Sequence, residues 1–234
     1  LHLNYKKYKK IDVSFSALSS ELSNSGIEKA IVIHMLNEPW SLEEFGNEIS
    51  KYNQLIGVVN VDPTDSNAIN RVNIAVENYN FKGVKLHPRL QNYDLNDQKV
   101  FDFLKNISHH KIPIIIDAFP DGTYLMEGFS PLKYAKLATS FPSLNFVWAH
   151  MGGFMAIEFM LLAKRLQNVY FDMSYSFLYF RESSLQKDMI YCFKSMKFEK
   201  IFYGSDYPDR NISETLNMTE EIMAQYDIEK AEIE

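Results

Sequence analysis

The 234 residues carry 24 basic and 30 acidic side chains, a net charge of −6, with 46% hydrophobic and 23% charged residues. This is the composition of a globular chain with a sizeable core; lacking a basic surplus, it argues against nucleic acid as a partner. The lone Cys192 excludes an intramolecular disulfide framework or cysteine-based zinc knuckle, and no apolar run nears the roughly 18 residues of a membrane span.

The chain opens with LHL, which reads as the stub of a strand, and turns basic within six residues (LHLNYKKYKK), unlike a signal peptide. A cytoplasmic location is the expectation. Then come AIVIH (30–34), LIGVVNV (55–61), GVKLH (83–87), IPIIID (112–117), LNFVWAH (144–150), VYFDMS (169–174) and IFYGSD (201–206). Most are nearly all apolar, the pattern of parallel strands covered on both faces. Helix signals lie between them. SLEEFGNEISKY opens with Ser41 and Glu44 at capping-box spacing. SPLKYAKLATSF places Ser130 at an N-cap and Pro131 at the first helical position. FMAIEFMLLAKRL and SETLNMTEEIMAQY repeat apolar residues at helical spacing.

Alternating strands and helices predict a parallel sheet with right-handed crossovers. With the leading stub as an eighth strand, the expected fold is α/β, a (β/α)8 TIM barrel in one domain spanning 1–234. A doubly wound open sheet is the alternative, but no glycine-rich phosphate fingerprint follows an early strand.

The strand candidates end on ionisable residues: His34, Lys85 and His87, Asp117, His150, Asp172 and Asp206. In a barrel these ends converge on one mouth, where active sites sit. Period-two alternation puts Lys85 with His87, and Phe202 and Gly204 with Asp206, on inward faces. Each residue also has a structural reading. Asp206 caps a turn, His150 is a core histidine bonded to backbone, Lys85 snorkels to solvent, and Asp172 lines the mouth or caps a helix. His34 is read as supporting structure, and His109 and His110 as solvated. So many coincidences at one end of one barrel favour a site.

GVKLHP (83–88), FVWAHMGG (146–153) and IFYGSDYP (201–208) resemble the signatures on the fourth, sixth and eighth strands of the amidohydrolase-related metal-dependent hydrolases. That group includes aminocarboxymuconate-semialdehyde decarboxylase. The resemblance implies a barrel with one divalent metal at its mouth, zinc first, manganese or magnesium as alternatives. It implies His2 as the second histidine of a His-x-His pair whose first member would precede Leu1, so both ends read as clipped. The fifth-strand position, a histidine in many members, carries Asp117; a carboxylate there shifts the donor set toward harder ions. The implied metal ligands are therefore His2, Asp206 and Asp117, and the implied catalytic groups are Asp206 as base and His150 as carbonyl or oxyanion partner.

Lys85, His87 and Arg89 make a local cationic patch for a small anionic substrate. Tyr175, Phe177 and Tyr179 are read as pocket wall, with packing as the alternative; Phe119, Asp121 and Tyr124 are read as a substrate loop. The expected function is hydrolysis of a small amide, ester or lactone by a metal-activated water. The alternatives are non-oxidative decarboxylation of a small unsaturated or aromatic acid, and a degenerate, non-catalytic binding barrel. A homodimer is an expectation carried by the resemblance alone.

Overall fold

The computed structural model describes residues 12–228. Seven strands form one sheet in chain order: β1 (Ala30–His34), β2 (Leu55–Asn60), β3 (Val84–Leu86), β4 (Ile114–Asp117), β5 (Phe146–Ala149), β6 (Val169–Asp172) and β7 (Ile201–Phe202). Every neighbouring pair is parallel. A doubly wound sheet would reverse its order at a switch point; this one never does, as in a barrel wall.

Alternation explains why the runs read as continuously apolar. Outward residues such as Val32, Val59, Val84, Ile114, Phe146, Trp148 and Phe171 join the main core beneath the helices. Inward residues Val58, Ile115 and Ala149, with Ile33 and Val147 against them, form a second, smaller cluster inside the sheet's curl. Register then sets the height of the polar groups. Asn60 pairs with Lys85, Lys85 with Ile115, and Asp117 with Ala149, so Lys85 and Asp117 stand level with Ile115 and Ala149 of the inner apolar cluster.

The helices follow their local signals. Leu42–Ile49 has the complete capping box, with Ser41 and Glu44 each accepting from the other's amide. Pro131–Ser140 starts at the expected proline, although Ser130 makes no side-chain cap. Ala156–Ala163 falls within its predicted stretch, and Ile212–Ala224, capped by Asn211, begins one residue before its own. Among the described residues, no helix is long and apolar enough to cross a membrane.

The strands are shorter than their apolar runs. His87 is the N-cap of the short helix Pro88–Gln91, while His150 and Asp206 lie in turns at φ 61° and 57°. Period-two alternation therefore stops at Phe202: Tyr203, Ser205 and Tyr207 face the same cavity as Gly204 and Asp206. After β5 the chain reverses through Met151, Gly152 and Gly153, all at positive φ. A Cβ on Gly152 would lie 2.1 Å from the Phe159 ring, so this turn requires glycine both for its backbone angle and for close packing.

Candidate active site

Asp117, at the end of β4, is the centre of the mouth. Its side chain is 0% exposed. Oδ1 lies 3.4 Å from His87 Nε2 and 3.3 Å from His150 Nε2, and Oδ2 lies 3.4 Å from Arg89 Nε. These are ion-pair separations, but the alignment leaves Oδ1 without a hydrogen bond. Above it Tyr134 donates its hydroxyl to the Asp117 carbonyl at 2.8 Å, fixing the strand end from the helix layer.

Each surrounding group is held in a defined state. His87 Nδ1 accepts from the Leu90 amide, so its proton sits on Nε2, facing Asp117. Burial lowers the His87 pKa to about 3, against the pull of Asp117, and keeps the ring neutral. His150 Nδ1 lies 3.1 Å from the Ser174 carbonyl, which can only accept, so Nδ1 carries a proton. Burial alone would push this imidazole down; the Asp117 contact and the Asp172 charge more than reverse it, and its pKa is raised. Asp117 itself is pushed up by burial but held well below the usual carboxylate range by His150 and Lys85.

Lys85 does not snorkel to solvent. It is 5% exposed, lines the cavity beside His87 and Asp117, and has no hydrogen bond or ion pair among the described residues. Arg89 bridges outward from Asp117 to Asp121, 3.5 Å from its Nη1. Lys85 and Arg89 thus bring two cations to the cavity beside Asp117, while His87, neutral, contributes no charge.

Asp206 lines the same cavity, half-buried. It does not cap the following helix, a role taken by Asn211, and its carboxylate has no hydrogen bond or ion pair among the described residues. Its left-handed backbone, like those of His150 and Tyr175, is a conformation that non-glycine residues rarely adopt and that concentrates at functional sites. His2 lies outside the described residues.

Other expectations sort cleanly. His34 is structural: its ring bridges the Trp40 carbonyl and Arg71 Nη2. His110 pairs with Asn73 and His109 is exposed. Phe177 is not pocket wall, because Ser176–Tyr179 is helical and turns it into the outer core against Phe193. Tyr175 does line the mouth, stacked on Tyr179 and edge-on to Phe119. Tyr124 points toward the Tyr134 hydroxyl instead of the mouth.

Behind β3 a buried amide network pins Lys85 and His87. Asn60 donates to the Lys85 carbonyl and accepts from Gln91 and the Leu36 amide, and Gln91 accepts from the His87 amide. Asn60→Leu strips three of these bonds; the Lys85 carbonyl keeps the Val61 amide, while the part-buried Leu36 and Gln91 donors lose their acceptor. It is expected to cost about 1–3 kcal/mol, read as a lower urea midpoint with unchanged m-value.

The model of the amidohydrolase family matches residues 4–225, and the chain belongs to that family. Solved structures share its fold. An uncharacterized TIM-barrel protein from Bordetella bronchiseptica superposes with TM-score 0.76 at 18% identity, over 94% of this chain and 78% of that one. A probable 2-pyrone-4,6-dicarboxylic acid hydrolase from Acinetobacter baumannii, with citric acid bound, gives 0.66 at 17% identity, over 94% and 86%. A 5-carboxyvanillate decarboxylase from Novosphingobium aromaticivorans, complexed with manganese and 4-hydroxy-3-methoxy-5-nitrobenzoic acid, gives 0.62 at 15% identity, over 92% and 75%. Comparison with curated proteins returns no match.

Family membership implies a divalent metal. The donor chemistry is suitable: Asp117 Oδ1 is a buried carboxylate oxygen without a hydrogen bond, and Asp206 presents at the same mouth a carboxylate unpaired among the described residues. Among the described residues, however, no three His, Cys, Asp or Glu side chains are grouped closely enough to hold an ion.

Proposed function

We propose that this chain is a metal-dependent hydrolase of a small, anionic carbonyl compound, an amide, ester or lactone. The observation that carries the reading is the Asp117 hub, a buried carboxylate ringed by His87, His150, Lys85 and Arg89, with Asp206, unpartnered among the described residues, lining the same cavity. Such clusters of opposed charge in a cleft mark reaction sites.

The metal would be held by Asp206, Asp117 and His2; zinc is favoured, and the carboxylates admit manganese or magnesium. Bound there, it supplies Lewis acidity and acidifies water. Asp206 takes the proton of the attacking water as its oxygen bonds to the carbonyl carbon, then returns it to the leaving oxygen or nitrogen as that bond breaks. His150 offers Nε2–H to the developing oxyanion; its raised pKa favours the protonated ring that can donate there. Lys85 and Arg89 anchor an anionic group of the substrate, and the Tyr175–Tyr179 stack offers a flat apolar side to the mouth.

The two fold neighbours named for pyrone dicarboxylate hydrolysis and carboxyvanillate decarboxylation frame the test. Purified protein is loaded with zinc or manganese and offered lactones, esters, amides and carboxylic acids, with acid release and CO₂ followed in parallel. The expected result is about one equivalent of bound metal and acid release without CO₂. CO₂ from an unsaturated or aromatic acid would move the chain to the decarboxylases. Ligand uptake with neither product, and no metal dependence, would make it a binding barrel.

A further inference from the structure

The ends of β5 and β6 meet in a hydrogen-bonded chain of which the hydrolytic reading uses only His150. Asp172, the last residue of β6, accepts through Oδ1 from the Ser174 amide at 2.8 Å and also from the Ser174 hydroxyl. Ser174 Oγ in turn lies 3.0 Å from His150 Nδ1, with the Ser174 carbonyl 3.1 Å from the same nitrogen. A hydroxyl has one hydrogen to give, and Asp172 takes it. Ser174 therefore offers His150 only lone pairs, from two oxygens at once, and Nδ1 must be the protonated nitrogen. Nε2 is left facing Asp117, 3.3 Å away.

A local turn accounts for only part of this. The amide contact from Ser174 to Asp172 is an Asx turn, and it needs no hydroxyl at position 174. Nor does a turn explain the bare neighbour on β7's continuation. A Cβ on Gly204 would stand 2.7 Å from Ser174 Cβ and 3.3 Å from Asp172 Oδ1, so glycine there makes room for the Asp172–Ser174 pair.

We propose that Asp172 and Ser174 are positioning residues that fix the tautomer and orientation of His150, so that Nε2 is always the nitrogen presented to the reacting centre. The proposal rests on the hydrolytic reading only for its kinetic arm; the tautomer itself is a property of the resting protein.

The test is long-range proton–nitrogen NMR on uniformly ¹⁵N-labelled, metal-free, full-length protein at alkaline pH, where the imidazole is neutral. His150 is identified among the six histidines by the signal missing from His150→Gln. The expected wild-type pattern is a proton-bearing Nδ1 and a bare Nε2. Ser174→Ala and Asp172→Ala leave the Ser174 carbonyl as the one fixed acceptor at Nδ1, in competition with the Asp117 carboxylate at Nε2, and should give mixed tautomers. Ser174→Thr and Asp172→Asn, which retain the hydroxyl and its acceptor, should keep the wild-type pattern. With a substrate in hand, the alanine variants should lose about 10–100-fold in kcat with KM nearly unchanged, and Ser174→Thr should restore it. A bare Nδ1 in the wild type, or an unaltered tautomer in both alanine variants, overturns the proposal. The wild-type spectrum alone decides if an alanine variant fails to fold. Because the NMR arm needs no substrate, it also decides the proposal if hydrolysis is never observed.

Discussion

Asp117→Ala is expected to destabilise the protein by about 3–5 kcal/mol, the scale for removing one partner of a buried charged cluster. The variant leaves the His150 imidazole, the Arg89 guanidinium and the Lys85 ammonium facing one another without the carboxylate that compensates them. Asp117→Asn keeps the shape and one acceptor oxygen but not the charge, so its loss should be smaller yet clear. Denaturant unfolding of the metal-free proteins measures both. A change under 1 kcal/mol for the alanine variant would show that the cluster does not hold the barrel mouth together.

The same cluster sets an acid limit. The His87 pKa is lowered to about 3 by burial, against about 6.5 unfolded. Below pH ~6.5 the unfolded chain therefore takes up a proton that the folded ring refuses, and stability falls with pH down to about 3. Asp117, held low, contributes stability above the unfolded carboxylate range near pH 4 and loses it as pH drops further. His150, held high, contributes below pH ~6.5 and loses that contribution as pH rises through its folded value. A pH series of unfolding curves should fall by roughly 3–5 kcal/mol across the acid limb through His87 alone, and His87→Phe should flatten it.

How much of this was legible from the residues follows from what each signal encodes. Apolar runs record burial, and burial located all seven strands in order. Burial does not record ladder pairing. His87, His150 and Asp206 were therefore read as strand residues, although each follows its strand's last residue in a turn. The turn signals were adjacent in Pro88, Gly152–Gly153 and Pro208. Tyr175, Phe177 and Tyr179 were read together as pocket wall, with packing as the alternative, and for Phe177 packing holds. A four-residue helix there turns successive side chains by about 100°, and Phe177 goes to the core. Long-range convergence was the hardest to read. Nothing local tells Asp117 that Arg89 and His150, 28 and 33 positions away, will share its two oxygens. Ser174 was missed altogether, although Asp-Met-Ser at a strand end is an Asx-turn signal, because its second partner comes from another strand.

Asp206→Asn should behave in the opposite way to Asp117→Ala. Its carboxylate has no hydrogen bond or ion pair among the described residues and lies half-exposed at the mouth, so folding loses little when it becomes an amide. The expected change in unfolding free energy is within about 0.5 kcal/mol, as for a surface substitution. Catalysis should fall far more. An amide cannot accept the water's proton, and the loss of a general base costs about 10²–10⁴-fold in kcat, with KM moved only slightly. Metal titration on the same variant separates two ways of losing activity. Weakened metal uptake would make Asp206 a ligand first, whereas normal uptake with the rate lost would make it a base first. Full activity in the variant would remove Asp206 from the mechanism and shift the base role to another titratable group lining the mouth, such as His150. On this reading the two carboxylates divide the site: Asp117, buried and compensated, builds the mouth, and Asp206, half-buried and without a hydrogen bond or ion pair among the described residues, takes the proton.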